Sequence, residues 1–273
     1  MIKALQAEIY KLTKNRGLKI YYIIMSILLV GESVYSYNLW KIYQEIFLEA
    51  KSYPKVLSMY WIGGDITSVF LKLYYLLLPI MSVLPFAVTY YTEIRTGYMK
   101  NACTRIGKKK YIISKYIVSF VTGGLACSCP LLINLLITSL YAVDLPQNVI
   151  NLTTAVMNRC PWSDIFYDNP LLYAFIYICL AFIFGGLFAV STMAIVHLCN
   201  NIFTYCIAGF LINVSGYYLL FYTDFLKNIP MAFLDPAQLL RGMTYGGIIT
   251  TGVIMLIFSL VGMFIHIKKD VLR

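Results

Sequence analysis

Few side chains in this 273-residue sequence could do chemistry, and their types limit what that chemistry could be. Glu32 is a lone carboxylate inside an apolar run that extends from residue 18 to 40. A charge at the centre of a bilayer costs about 2.5 to 3.5 kcal/mol on insertion scales, so Glu32 must face either a partner helix or an aqueous vestibule. In the second case it is a candidate residue of a transport path. A second constellation, Glu93, Arg95, Gly97, Tyr98, Lys100 and Arg105, lies in a short basic block between two apolar runs and has the makings of a surface for another protein. Cys127-Ser-Cys129 and His197-x-Cys199 look like metal pairs. A structural zinc site takes four ligands, however, and no second pair has matching spacing, so both are read as packing residues and no metal is expected. His197, with Asn200 and Asn201 close by, is expected to cap a tight turn. Catalytic motifs are missing: Gly107-Lys108 runs on into Lys109 without the upstream glycine of a phosphate loop, and neither H-E-x-x-H nor G-x-S-x-G occurs. No catalytic residue is therefore assigned, and ATP hydrolysis would need another chain.

The elements that must position these residues follow from composition. Hydrophobic residues make up 60% and charged residues 12% of the chain, which places it outside soluble globular proteins and among integral membrane proteins. Six apolar runs, residues 18–40, 66–91, 111–141, 171–198, 202–221 and 247–267, each supply the roughly 20 residues that a helix needs to cross a bilayer. Short alternating segments are lacking, so an all-α membrane protein with six transmembrane helices is expected rather than a barrel. Residues 1–17 place Ile2, Leu5, Ile9 and Leu12 at helical spacing with the charges mostly elsewhere, the pattern of an N-terminal interfacial helix that turns into the first span at Asn15-Arg16-Gly17. Residues 18–273 read as a single six-span domain. Its first span is expected to stay as an anchor, since no cleavage site follows promptly.

Charge sets the orientation. Fifteen of the 22 Lys and Arg residues fall on one side of the spans, where only Glu8, Glu93 and Asp270 are acidic. Basic residues near span ends stay cytoplasmic, so cytoplasmic N and C termini in a multi-pass plasma-membrane protein are expected. The net charge of +10 is then explained by topology and anionic lipid headgroups, and nucleic acid is not an expected partner. Seven scattered cysteines argue against a disulfide framework. Lys72 and Lys115 lie near span ends and are expected to snorkel to the interface. Gly123-Gly124, Gly185-Gly186, Gly209 with Gly216, and Gly242-x-x-x-Gly246 are expected to let helices approach closely, while Pro79, Pro85 and Pro130 should kink spans two and three. Outer segments 41–65, 142–170 and 222–246 are too long for structureless loops. The last is apolar but interrupted by Pro230 and Pro236, which suits two re-entrant helices or one surface helix, with Asp235 capping a helix that Pro236 opens.

An amphipathic N-terminal helix, six spans, a basic loop at 92–110 and a broken apolar loop before span six together resemble a type 2 ABC transporter permease. Exporters of that family keep the membrane part and the ATPase in separate polypeptides. Their loop between spans two and three commonly carries a Glu, a Gly four residues on, an Arg, and a Lys opening span three. Glu93, Gly97, Arg105 and Lys115 stand in that order here. Tyr98 replaces the Thr often found after the glycine, and Ile106-Gly107 stands where a Pro is usual. The resemblance implies a coupling helix within 92–110 seated on an ABC ATPase subunit. It also implies a second permease copy or a homologous permease, which together with this chain encloses the substrate path. ATP and Mg would belong to the partner, with no cofactor in this chain. The cargo implied is hydrophobic or amphipathic, a small peptide such as a bacteriocin or lantibiotic, a drug or a lipid, crossing a bacterial cell membrane. A stand-alone ion-coupled secondary transporter or channel is the alternative, and it would need Glu32 at mid-membrane.

Overall fold

The computed structural model describes residues 2–50, 57–61, 68–142, 156, 160–219, 223, 228–237 and 243–268, and among these it is helical with no strand. A short helix α1 (Ile2–Thr13) turns at Asn15 into α2 (Arg16–Ala50). At 1.5 Å per residue α2 is about 50 Å long, so it carries some ten residues beyond the outer end expected for the first span. There follow α3 (Leu57–Tyr60), α4 (Val69–Val83), α5 (Ala87–Arg95), α6 (Tyr98–Ile106), α7 (Lys108–Thr138), α8 (Ser163–Asp168), α9 (Pro170–Ala194), a 3-10 turn (Val196–Leu198), α10 (Ile202–Leu219), α11 (Pro230–Phe233) and α12 (Tyr245–Lys268). Five of these, α2, α7, α9, α10 and α12, are long and apolar enough to cross a membrane. A sixth crossing is available if α4 and α5 are taken together, across a bend of 42°.

That bend shows why the run at 66–91 is not one helix. Pro85 has no N–H, and although Leu84 before it keeps helical angles, Phe86 after it does not (φ −146°, ψ −37°), so the helix breaks at Leu84-Pro85-Phe86. The Pro85 carbonyl left free at the break is satisfied from another element, Asn15 donating its side-chain amide to it at 2.6 Å, while the Tyr205 hydroxyl of α10 adds a bond to the Ala87 carbonyl at the start of α5 at 3.0 Å. Pro130, by contrast, lies inside an unbroken α7. Its missing N–H leaves the Ala126 carbonyl four residues back without a helical donor, and the Tyr21 hydroxyl of α2 supplies one at 2.8 Å. Pro79 is likewise accommodated within α4.

The core is centred on α9, which packs most extensively on α7 and then on α12. Small residues explain the first of these contacts. A Cβ on Gly123 would come within 2.6 Å of the Ala189 Cβ, and one on Gly185 within 2.7 Å of the Cys127 sulfur, so the two helices touch nearly backbone to backbone. Gly216 behaves differently. Among the described residues, a Cβ there would meet only the Ile229 Cδ1, at 3.9 Å. Gly242 of the expected Gly242-x-x-x-Gly246 motif lies outside the described residues, as do parts of the expected outer segments (51–56, 62–67, 143–155, 224–227 and 238–242) and residues 269–273.

Within the outer segment 222–246 the roles of the two prolines differ from expectation. Pro230 does not interrupt a helix but opens α11 at its first position, where a missing N–H costs nothing. Asp235 comes after α11 has ended, and its Oδ1 accepts from the Ala237 N–H at 2.9 Å in a cap-like turn that residues 235–237 do not continue as a helix. α11 is held inward by Phe233 against Phe184, with ring centroids 4.9 Å apart. Beside it the Tyr173 hydroxyl donates to the Pro236 carbonyl at 2.7 Å.

Candidate functional site at the basic end

The basic block folds into α6, nine residues bounded by two glycines in left-handed backbone conformations, Gly97 at φ +74° and Gly107 at φ +87°. Only glycine takes such angles at no steric cost, so these two positions let the chain leave α5, make a short helix and enter α7. Met99 and Ala102 are buried on one face of α6. Tyr98, Lys100, Asn101, Thr104 and Arg105 are exposed on the other, and the exposed Lys109 and Lys110 follow at the start of α7.

Glu93 is not part of that exposed face. It joins Glu8, Lys11 and Lys115 in a closed ring of four ion pairs drawn from α1, α5 and α7. Lys115 Nζ lies 2.7 Å from Glu8 Oε2 and 2.9 Å from Glu93 Oε2. Lys11 Nζ lies 2.9 Å from Glu8 Oε1 and 3.0 Å from Glu93 Oε1. Each lysine thus bridges both carboxylates, and the formal charges cancel. The Tyr111 hydroxyl also donates to Glu93 Oε2, while Lys115 donates to Thr89 Oγ1 at 3.0 Å and sits 4.6 Å from the centre of the Phe86 ring. Lys115 and Glu8 are 0% and 1% exposed. The expectation that Lys115 snorkels is therefore corrected: two carboxylates within reach make an inward position cheaper than the interface. Lys72, near the start of α4, is exposed.

The same ring gives α1 a face toward the protein: Glu8 turns inward, while Ile9 is 54% exposed. Burial by itself would depress the Lys11 ammonium, but Glu8 and Glu93 outweigh it and hold its pKa above the usual lysine value.

Around the ring the ends of the other spans are tied together. Arg95, though exposed, donates to the Cys199 carbonyl at 2.7 Å and lies over the Tyr91 ring; Tyr91 in turn donates to the Asn200 carbonyl at 2.6 Å. The end of α5 thereby fastens the turn between α9 and α10. His266, near the end of α12, places Nδ1 3.0 Å from the Tyr90 hydroxyl and 3.4 Å from that of Tyr116, with the His197 ring 4.9 Å away at right angles.

Glu32 lies apart from this end. It is fully buried, accepting from Ser36 Oγ at 2.9 Å and from Ser68 Oγ. Ser68 also accepts from the Phe70 and Leu71 N–H groups, so Glu32 anchors the cap of α4. It lines neither of two hollows described among the spans, one between α9, α10 and α12 and the other between α7, α9 and α12. Among the described residues no group of three or more His, Cys, Asp or Glu side chains could hold a metal ion.

Of the residues expected to contact a partner, the structure leaves Tyr98, Lys100 and Arg105 on an open face, uses Gly97 as a hinge, turns Arg95 toward a carbonyl and buries Glu93. Glu8, Lys11, Tyr111 and His266 were not singled out beforehand. An available signal is that Glu8 and Glu93 are two of only three acids on a side otherwise basic, with Lys115 set inside an apolar run. No protein-family model, curated protein or solved structure matches the chain.

Proposed function

We propose that the chain is the membrane subunit of an ATP-driven exporter of the type 2 ABC permease kind, with both termini in the cytoplasm of a bacterial cell. The observation that carries this reading is the mounting of α6. A nine-residue helix presents Tyr98, Lys100 and Arg105 outward, while its flanking helices α5 and α7 are cross-tied by Glu93–Lys115 and Glu93–Tyr111. A body that pushed on α6 would displace both helices together, as a rigid-body transition requires. The proposed partner is an ABC ATPase that carries ATP and Mg, with a second permease copy or homologous permease completing the path. Cargo of a hydrophobic or amphipathic kind, a small peptide, drug or lipid, suits spans so poor in charge.

The test is co-purification in mild detergent with a candidate ATPase, then charge reversal at Lys100 and Arg105. Loss of the ATPase from the complex, with the helical content of the permease unchanged, is the expected result. A chain that binds no ATPase, or exports after ATP depletion, would end this reading.

Glu32 supports a second reading, an ion-coupled secondary transporter or channel, because a fully buried carboxylate stands within a span. Glu32→Gln should abolish transport at normal expression if the carboxylate carries an ion. It should lower expression alone if the carboxylate only anchors Ser68.

A further inference from the structure

The corner between α1 and α2 is fixed by three backbone contacts. Asn15 donates its side-chain amide to the Pro85 carbonyl at 2.6 Å and accepts from the Gly17 N–H at 3.0 Å, while Gly17 lies so close to the Leu84 carbonyl that a Cβ has no room. With Gly17 held inward, Arg16 and Lys19 are left exposed on the other side. Among the described residues neither makes an ion pair, since Glu8 and Glu93 are bound to Lys11 and Lys115. Their charge is therefore available to something outside the chain. Ile20, Ile23, Ile27 and Val30 continue from these two cations at steps of three and four residues, which keeps them on one side of α2, and all four are exposed. Tyr21, Met25 and Leu28 are buried on the opposite side. From Ile20 to Val30 the stripe rises about 15 Å at 1.5 Å per residue, half of a hydrocarbon core about 30 Å thick. Other basic positions lack this combination. Lys109 and Lys110 are exposed, but α7 continues from them into Tyr111, Ile112, Lys115 and Tyr116, all buried. Lys268 ends an apolar helix with exposed side chains, but it is the only Lys or Arg of α12.

We propose that this corner binds an anionic diacyl lipid, with its phosphate held by Arg16 and Lys19 and one acyl chain laid along Ile20, Ile23, Ile27 and Val30. Charge complementarity selects the headgroup. Arg16 offers a planar fork to two phosphate oxygens and Lys19 a compact ammonium, whereas a zwitterionic lipid already carries its own cation beside the phosphate. The length of the stripe selects the rest of the molecule, because it matches the chain of one leaflet and begins directly at the two cations. The fixed corner holds both cations at one depth, so the headgroup meets them without ordering a flexible tail.

The test uses the full chain in phosphatidylcholine nanodiscs with two photoreactive lipid probes in equal trace amounts, phosphatidylglycerol and phosphatidylcholine with the same acyl chains. The phosphatidylglycerol probe should label the α2 peptide that carries Ile20 to Val30 about fivefold more, or better, than the phosphatidylcholine probe. The exposed face of α10, a helix with no Lys or Arg, should take both equally. Arg16→Gln with Lys19→Gln should bring α2 down to the level of α10. Arg16→Lys with Lys19→Arg keeps the charge and should keep the preference, as should Lys109→Gln with Lys110→Gln. Equal labelling of α2 by both probes, the same preference on α10, a preference that survives in the folded neutral variant, or one that vanishes with Lys109 and Lys110 would overturn the proposal. So would loss of the preference in millimolar glycerol phosphate, because the corner would then be reading a soluble phosphate. The comparison of α2 with α10 needs no variant and stands by itself if the neutral chain fails to fold.

Discussion

The four ion pairs among Glu8, Lys11, Glu93 and Lys115 stand or fall as a group. Each charge was desolvated at a cost that only the others offset, so removing one partner leaves an uncompensated ion. Lys115→Met should destabilise the folded chain by about 3–5 kcal/mol, the range found when one partner of a buried pair is lost. Adding Glu93→Gln to it should recover part of that loss, and denaturant unfolding of the single and double variants in detergent would show the non-additivity. Asp235 offers a different test. Burial raises its carboxyl to about 7 against the opposing effects of the Ala237 N–H and Lys72, with the hydroxyls of Tyr75, Tyr173 and Tyr177 nearby. The folded segment thus holds a proton that the unfolded chain releases near pH 4, and the unfolded state gains by releasing it as pH rises. The segment from Asn228 to Ala237 should accordingly be most protected below pH 4 and lose protection between about pH 4 and 7. Limited proteolysis across that window should show it, and Asp235→Asn should abolish the dependence.

At the level of elements, the contact between α7 and α9 tolerates nothing at its glycines. Gly123→Leu would drive a side chain into Ala189 and the Gly185 and Ser82 carbonyls, so the helices must part. Loss of the folded species in fluorescence-detected gel filtration is expected, whereas Gly216→Leu should leave it intact. The two positions look alike as small residues in apolar runs. Which one is packed and which opens on a hollow depends on where a neighbouring helix lies, and that is set by tertiary contacts the sequence does not display. Pro85 was legible as a break because proline acts on its own helix. The rescue of the freed carbonyls by Asn15 and Tyr21 is not, since each donor comes from outside the helix that the proline interrupts. Glu93 and Lys115 read as separate features for the same reason: twenty-one residues, carrying two glycine turns, helix α6 and the start of α7, lie between two positions whose side chains meet at 2.9 Å.

For the whole molecule, the strongest statement in the sequence was its class: a chain so apolar, with helix-length runs, could only be a helical membrane protein. The ends that carry α1, α6 and the last turn of α12 gather on one side, tied by Lys11 with Glu93 and by Tyr90 with His266. Fluorescent reporters fused at either terminus should therefore report the same compartment, the cytoplasm if the basic side is inside. A split result, one terminus on each face, would rule out an even number of crossings. The ion-pair ring also orders the birth of this protein. Glu8 and Lys11 are made first, but their partners arrive with α5 and α7, more than eighty residues later. Until Lys115 leaves the ribosome Glu8 has only Lys11 of its own helix beside it, so α1 cannot complete its docking before α7 is made.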